Sequence, residues 1–206
     1  MQHRRIAATA ELLGEPSRAA MVLALMDGRS RTAKKLALDA GVTPQTASAH
    51  LKKLVAANLL DCDARGRVKE FRLRGADVAQ AVEALSEIGA GPVAPAACEL
   101  RFARCCYDHL AGQLGVRVTE RLLEAGNRIL AELGVEPSGL HGRRALYRCC
   151  TDWTERRPHI AGTIGAALLR HYLEARWLTR VEGSRKLVLT ERGREMFARV
   201  FGIENA

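Results

Sequence analysis

Apolar residues recur at helical spacing through the first third of the chain. Ile6, Ala10 and Leu13 mark a helix over 3–13 that Gly14 ends. Pro16 then stands at a first-turn position, and Met21, Val22, Leu25 and Met26 share one face of a helix over 18–26 closed by Gly28. Thr32 caps a segment through Leu38 that stops at Gly41. With Thr43 as N-cap and Pro44 at the first helical position, a further helix runs to about Asn58, with Ala47, Leu51, Leu54 and Val55 as its buried stripe. Thr32 to Asn58 thus has the size and punctuation of a helix-turn-helix. The period then falls to two. Val68, Phe71 and Leu73 about the Gly66 turn predict a β-hairpin, a wing with Arg65 and Arg67 at its tip. Val78, Val82, Leu85 and Ile88 return to helical spacing over 76–89.

Gly89-Ala90-Gly91-Pro92-Val93-Ala94-Pro95 breaks the pattern and marks a boundary, giving a domain over 1–90, a linker over 91–96 and a second domain over 97–206. The second domain reads as mostly helical: 97–115, 118–133, 141–155 and 158–176. A hairpin follows, Leu178–Val181 with Lys186–Leu189 about the Gly183-Ser184 turn, and a last helix runs from about Glu191 to Phe201. The expected fold is mainly α, with an α+β winged helix followed by a helical domain bearing a hairpin.

Composition changes this picture in three places. Aromatics are only 4% of the 206 residues, so Leu, Ala and Val must build the cores. The net charge is +9, and between Arg29 and Arg74 eleven Lys or Arg stand against four Asp or Glu. That excess falls on the elements that would face a duplex. Gln45, Thr46, Ser48 and Ala49 after the Thr43 cap suit base edges, His50 lies on or beside the same outer face, and Lys52, Lys53, Arg65, Arg67 and Lys69 suit phosphates. The plainer alternative is a solvated helix on an ordinary bundle. No run of eighteen apolar residues exists, so no membrane-spanning helix is expected, and the basic N-terminus lacks the apolar core of a secretory signal. Six cysteines without an export signal point to reduced thiols and a cytoplasmic protein.

Leu12-Leu13-Gly14-Glu15-Pro16-Ser17-Arg18, the segment Gly41–Leu54 and the charged wing resemble the ArsR family of winged-helix bacterial repressors, over roughly residues 5 to 90. The resemblance implies a homodimer that binds a palindromic double-stranded DNA operator and leaves it when an inducer binds, with residues 76–89 as the dimerising helix. Many metal-sensing members carry paired cysteines in the helix before the recognition helix. Here that helix is Ala33-Lys34-Lys35-Leu36-Ala37-Leu38-Asp39, without a thiol.

The second domain contains a repeated frame. Arg104-Cys105-Cys106-Tyr107-Asp108-His109-Leu110-Ala111-Gly112 returns as Arg148-Cys149-Cys150-Thr151-Asp152, six inserted residues, and His159-Ile160-Ala161-Gly162. Each copy runs on to a second glycine, Gly115 and Gly165, and Gly126–Glu136 parallels Gly193–Glu204. This predicts a degenerate internal duplication whose first copy has lost its hairpin. The glycines would let two helices approach closely across a pseudo-twofold axis. On a helix, Cys105 or Cys106 would share a face with His109.

Thiolate plus imidazole is a ligand set for Zn²⁺ or another thiophilic metal or metalloid ion. Cys106, His109, Cys150 and His159 are the first choice of ligands, Cys105 and Cys149 the second. Asp108 and Asp152 are candidates to ligate or to orient a histidine. Buried cysteines also simply fill cores, which leaves two other readings of the domain: thiol oxidation as the signal, or a small organic ligand in a Leu/Ile/Ala-lined cavity. A thiol or zinc enzyme with an accessory DNA-binding domain is the remaining alternative. No catalytic motif surrounds the cysteines, so no catalytic residue is assigned. Arg143, Arg144, Arg148, Arg156 and Arg157 cluster near the second copy, Trp153 and Trp177 read as packing residues, and Cys62 as incidental. A subset of longer ArsR-type regulators is similar here, with motifs resembling Cys106–Gly112 and Asp152–His159. The resemblance implies a shared architecture with an extra C-terminal domain.

Overall fold

A computed structural model describes residues 2–66, 68–88, 99–140 and 144–204. Two compact units result, Met1–Val82 and Glu83–Ala206. The expected linker 91–96, Cys98, Arg67 and Arg143 lie outside the described residues.

In the first unit local signals decide the elements. They are α1 (Gln2–Leu13), α2 (Pro16–Ala24), β1 (Arg31–Thr32), α3 (Ala33–Asp39), α4 (Pro44–Ala56), β2 (Leu60–Arg65) and β3 (Val68–Leu73), with α5 (Ala76–Glu87) beginning in this unit and ending in the second. Caps fix three helix starts. Glu15 accepts from the amides of Ser17 and Arg18 at 3.0 and 2.8 Å, Thr32 from Lys35 at 3.3 Å, and Thr43 from Thr46 at 3.2 Å. Each such cap contributes about 1 kcal/mol. Met21, Leu25, Met26, Leu36, Ala47, Leu51 and Leu54 are buried on the helices, as are Leu60, Phe71 and Leu73 on the sheet. The sheet has the order β1-β3-β2, with Leu60 opposite Leu73 and Arg65 opposite Val68. Val68 is half exposed rather than inward, because only Phe71 and Leu73 share the core-facing parity.

The second unit departs from expectation. Among the described residues of 97–112 and 141–155, hairpin strands stand where helices were expected: β4 (Arg104–Cys106) with β5 (His109–Ala111), joined by two residues, and β6 (Arg148–Thr151), which pairs across six residues with β7 (Pro158–Ala161). Every residue of β4 and β5 is buried, so neither a period of two nor one of 3.6 is visible in the sequence. Each hairpin runs straight into a helix, α6 (Gln113–Glu132) or α7 (Gly162–Glu174).

The frame's glycines sit at these junctions. Gly112 and Gly162 have φ of +84° and +78°, and a Cβ there would lie 2.6 Å from the Arg101 oxygen or 2.7 Å from the Ala145 oxygen. At Gly115 and Gly165 a Cβ would lie 2.6 and 2.7 Å from the oxygens of Leu110 and Ile160. The glycines therefore seat each helix against its own hairpin, not two helices against each other.

α6 is broken at Ala125 (φ −143°, ψ 32°). Its first half corresponds to α7 and its second to α8 (Glu191–Phe201); between α7 and α8 the second copy inserts β8 (Leu178–Arg180) and β9 (Leu187–Leu189). Both copies end alike. Gly134 and Gly202 have φ of +64°, and the amides of Val135 and Ile203 reach back to Leu130 and Phe197 at 2.9 and 3.1 Å. The repeat expected from the sequence, with one hairpin missing, is present in the backbone. Each helix also packs on the other copy's hairpin, α6 on β7 and α7 on β5. Thr119 of α6 accepts the Ile160 amide at 2.7 Å. Trp177 stacks on Tyr172 in the core of this unit.

Candidate functional site

Pairing within each hairpin sets the site. Cys106 stands opposite His109, and Cys150 opposite His159. Strand alternation sends the neighbouring Cys105 and Cys149 to the opposite faces, where Cys105 pairs with Leu110 and Cys149 with Ile160. β5 lies beside β7. Four donor atoms, one each from Cys106, His109, Cys150 and His159, consequently fall within 4.8 Å of one another, and all four residues are buried. These are the four residues chosen from the sequence. The helical spacing offered for the first copy is wrong; cross-strand pairing and the contact between copies bring them together. The five cysteines among the described residues form no disulfide.

The imidazoles stack with centroids 5.1 Å apart. Both turn Nδ1 toward the aspartate of their own frame: His109 lies 3.2 Å from Asp108 Oδ1, and His159 lies 3.6 Å from Asp152 Oδ2, beyond hydrogen-bond reach. Three buried ring nitrogens, His109 Nε2 and both of His159, have no hydrogen-bond partner. Each such orphan costs roughly 1–3 kcal/mol. A cation receiving the two Nε2 lone pairs would remove that penalty for two of the three.

The two thiols divide their proton unequally. The adjacent Cys106 leads the groups that hold the Cys150 thiol down at about 5, whereas Cys106 is pushed well up by Cys150 and by burial. Burial, then the neighbouring His109, takes His159 down to about 3 and keeps it neutral. For His109, burial is outweighed by Asp108 and Cys150, and the net direction is upward. Two thiolates and two neutral imidazoles would balance one divalent cation's charge. In a tetrahedral zinc site, bonds of about 2.3 Å to sulfur and 2.0–2.1 Å to nitrogen put donors roughly 3.3–3.8 Å apart. The residues present fit that ion with a contraction on the order of 1 Å.

Around the centre lies a buried ion network that the sequence did not reveal. Arg104, which is 0% exposed, meets Asp152 Oδ2 at 3.0 Å, Thr154 Oγ1 and the Leu100 oxygen at 3.2 Å, and Glu83 Oε1 at 3.4 Å, with Trp153 over its guanidinium. Glu83 also takes Arg185, at 3.1 Å. Asp152 accepts from the Gly112 amide at 2.6 Å and from the Thr154 amide and hydroxyl. Burial would raise its carboxyl, but Arg104 leads the groups that bring it down to about 2. The repeated frame singled out Asp152 and contains Arg104, but for Glu83 the sequence offers only a charge beside the apolar stripe of its helix. Of the arginine cluster, Arg144 binds Asp108, Arg157 binds Glu120, and Arg148 and Arg156 are exposed.

In the first unit, Gln45, Thr46, Ser48, Ala49, Lys52 and Lys53 are exposed on α4, and Lys69 on β3. Thr43 caps α4, its hydroxyl 2.9 Å from that of Thr46. Arg65 ends β2 at the wing tip, next to Gly66. His50 has inner partners instead: its ring lies 3.4 Å from Arg18 and 3.6 Å from Glu15. Among the described residues, no helix is long and apolar enough to cross a membrane.

A helix-turn-helix domain model matches residues 13–63. The winged helix-turn-helix domain of Mb0332 from Mycobacterium bovis, a possible ArsR-family regulator, is 26% identical, covering 42% of this chain and 79% of that one with a TM-score of 0.37. The transcriptional repressor BigR from Xylella fastidiosa is 24% identical, covering 44% and 91%, with a TM-score of 0.40. The uncharacterized HTH-type transcriptional regulator YdfF of Bacillus subtilis (strain 168) is 38% identical over 221 aligned positions, which span 97% of this chain and 98% of that protein. A match of that identity along nearly both whole lengths places the chain in the family of HTH-type transcriptional regulators, DNA-binding proteins rather than enzymes.

Proposed function

We propose that the protein is an ArsR-type repressor of the long subtype, released from its operator when a thiophilic metal ion, Zn²⁺ or a chemically similar divalent cation, occupies Cys106, His109, Cys150 and His159. The observation that carries this reading is the buried set of four donors with three unpartnered ring nitrogens. A metalloid held by three thiolates is disfavoured, because Cys105 and Cys149 point away. In this reading residues 1–90 bind DNA and dimerise, 91–96 link, and 97–206 sense, in the cytoplasm. Thr43, Gln45, Thr46, Ser48 and Ala49 approach base edges, and Lys52, Lys53, Arg65, Arg67 and Lys69 meet phosphates. His50, engaged with Arg18 and Glu15, is left out. A homodimer is supported by α1, which buries no side chain, and by the exposure of Ile6, Leu85 and Ile88. Metal lowers operator affinity only by binding the released state more tightly than the DNA-bound one.

Metal content of the purified chain and its competition for Zn²⁺ against a chromophoric chelator test the centre. One ion per chain is expected, lost in the Cys106→Ser, Cys150→Ser double variant. Equal stoichiometry and affinity in that variant would overturn the reading. A duplex selected from a random library then reports release by Zn²⁺.

One observation favours a second reading. A cavity of about 600 Å³ opens at the α6 break, lined by Leu122, Leu130, Ile160 and Ile164 among others, with Cys149 at its wall. A small organic inducer there would leave Zn²⁺ without effect on DNA binding.

A further inference from the structure

The centre and the end of α5 are joined by one continuous set of buried contacts. Asp152 Oδ2 faces His159 Nδ1 at 3.6 Å and binds Arg104 at 3.0 Å; Arg104 reaches Glu83, 3.4 Å away. Glu83 has a second connection to the centre. It binds Arg185, whose Nε donates to the Cys105 oxygen at 3.0 Å and whose own oxygen accepts the Cys105 amide at 2.8 Å, one residue before the ligand Cys106. Two carboxylates and two guanidinium groups are thus balanced out of water, where a small change in one pairing is felt by the next.

We propose that Asp152 is the positioning residue that fixes His159 to ligate through Nε2, and that Arg104 and Glu83 relay occupancy of the centre to α5. This rests on the metal reading above. A metal-bound histidine generally donates its other ring N–H to a carboxylate or carbonyl, and the bound cation strengthens that donor. Among the described residues the carboxylate placed to receive His159 Nδ1–H is that of Asp152, and its Oδ2 already accepts from the Gly112 amide and pairs with Arg104. Closing the 3.6 Å gap to a hydrogen bond adds a third claim on that oxygen. Its hold on Arg104 weakens, and Arg104 turns toward Glu83, which is its longest ionic contact. The cation at the centre thereby tightens the grip on Glu83, within α5 (Ala76–Glu87), the helix proposed to dimerise the chain.

Three measurements on the full chain decide it. Long-range ¹H–¹⁵N spectra of the Zn²⁺-loaded wild type should show His159 protonated at Nδ1 with Nε2 coordinated; the opposite tautomer overturns the positioning role. Asp152→Asn should lower Zn²⁺ affinity about 10–100-fold at unchanged stoichiometry; wild-type affinity in that variant overturns it as well. Deuterium exchange of α5 peptides in the wild type should slow at least about threefold on adding Zn²⁺, and Glu83→Gln should bind Zn²⁺ yet lose that change. Wild-type exchange that ignores Zn²⁺, or a Glu83→Gln chain that keeps the full response, overturns the relay while leaving the centre standing. Failure of the wild type to take up Zn²⁺ overturns the centre itself, and is read directly from the titration.

Discussion

Each of the two hairpins of the second unit places one Cys and one His in the buried cluster, and the two differ in nearly everything around them. Arg104 of the first copy is fully buried, whereas its counterpart Arg148 is exposed. The aspartates are reversed: Asp152 is 0% exposed, and Asp108 is half-buried and answered by the surface Arg144. One copy therefore supplies a buried cation and the other a buried anion, and the two meet at 3.0 Å. The six residues inserted in the second copy make this possible. They fold back over the Asp152 carboxylate, and the amides of Thr154 and Glu155 both donate to it. Symmetry at the centre gives a four-donor site. Asymmetry outside it gives the site a direction, toward Glu83.

Removing the two arginines separately should give the widest difference. Arg104→Met leaves Asp152 and Glu83 short of a buried partner and should cost about 3–5 kcal/mol, whereas Arg148→Met should stay within about 0.5 kcal/mol. Chemical denaturation of the two variants measures both, and equal losses would remove the distinction between the copies. Next in size is the contrast within a vicinal pair. Cys150→Ser should weaken Zn²⁺ binding by more than the roughly hundredfold that an outer partner can cost, and Cys149→Ser should leave it unchanged in the same chelator competition. The aspartates should differ less. Asp152→Asn should lower Zn²⁺ affinity about 10–100-fold, and Asp108→Asn by a smaller factor, since water can replace it at its half-exposed position. The smallest effect belongs to the first unit. Lys52→Ala should weaken binding to all duplexes alike and reduce the slope of log affinity against log salt by about 1, while Gln45→Ala should change sequence preference in a library selection.

Much of the first unit was legible because its information is local. Thr32, Thr43 and Pro44 act within one helical turn, and Leu51 and Leu54 lie one turn from their neighbours on the same face. His50, expected on the outer face of α4, is half-buried, because its partners Arg18 and Glu15 come from a helix and a cap more than thirty residues earlier. In the second unit the helices over 97–115 and 141–155 were expected and are hairpins. Cys105, Cys106, Leu110 and Ala111 are all buried, and three-residue strands with both faces inside the core leave no period to read.

The sequence by itself determined the helix-turn-helix and the duplicated frame, and it singled out the four Cys and His residues that the fold gathers, because repetition and residue type survive an error in secondary structure. Only the tertiary structure decided how those donors meet. Cross-strand pairing, the packing of each helix on the other copy's hairpin, and the closure of Glu83, Arg104 and Asp152 around His159 are contacts between distant positions, and no local periodicity encodes them.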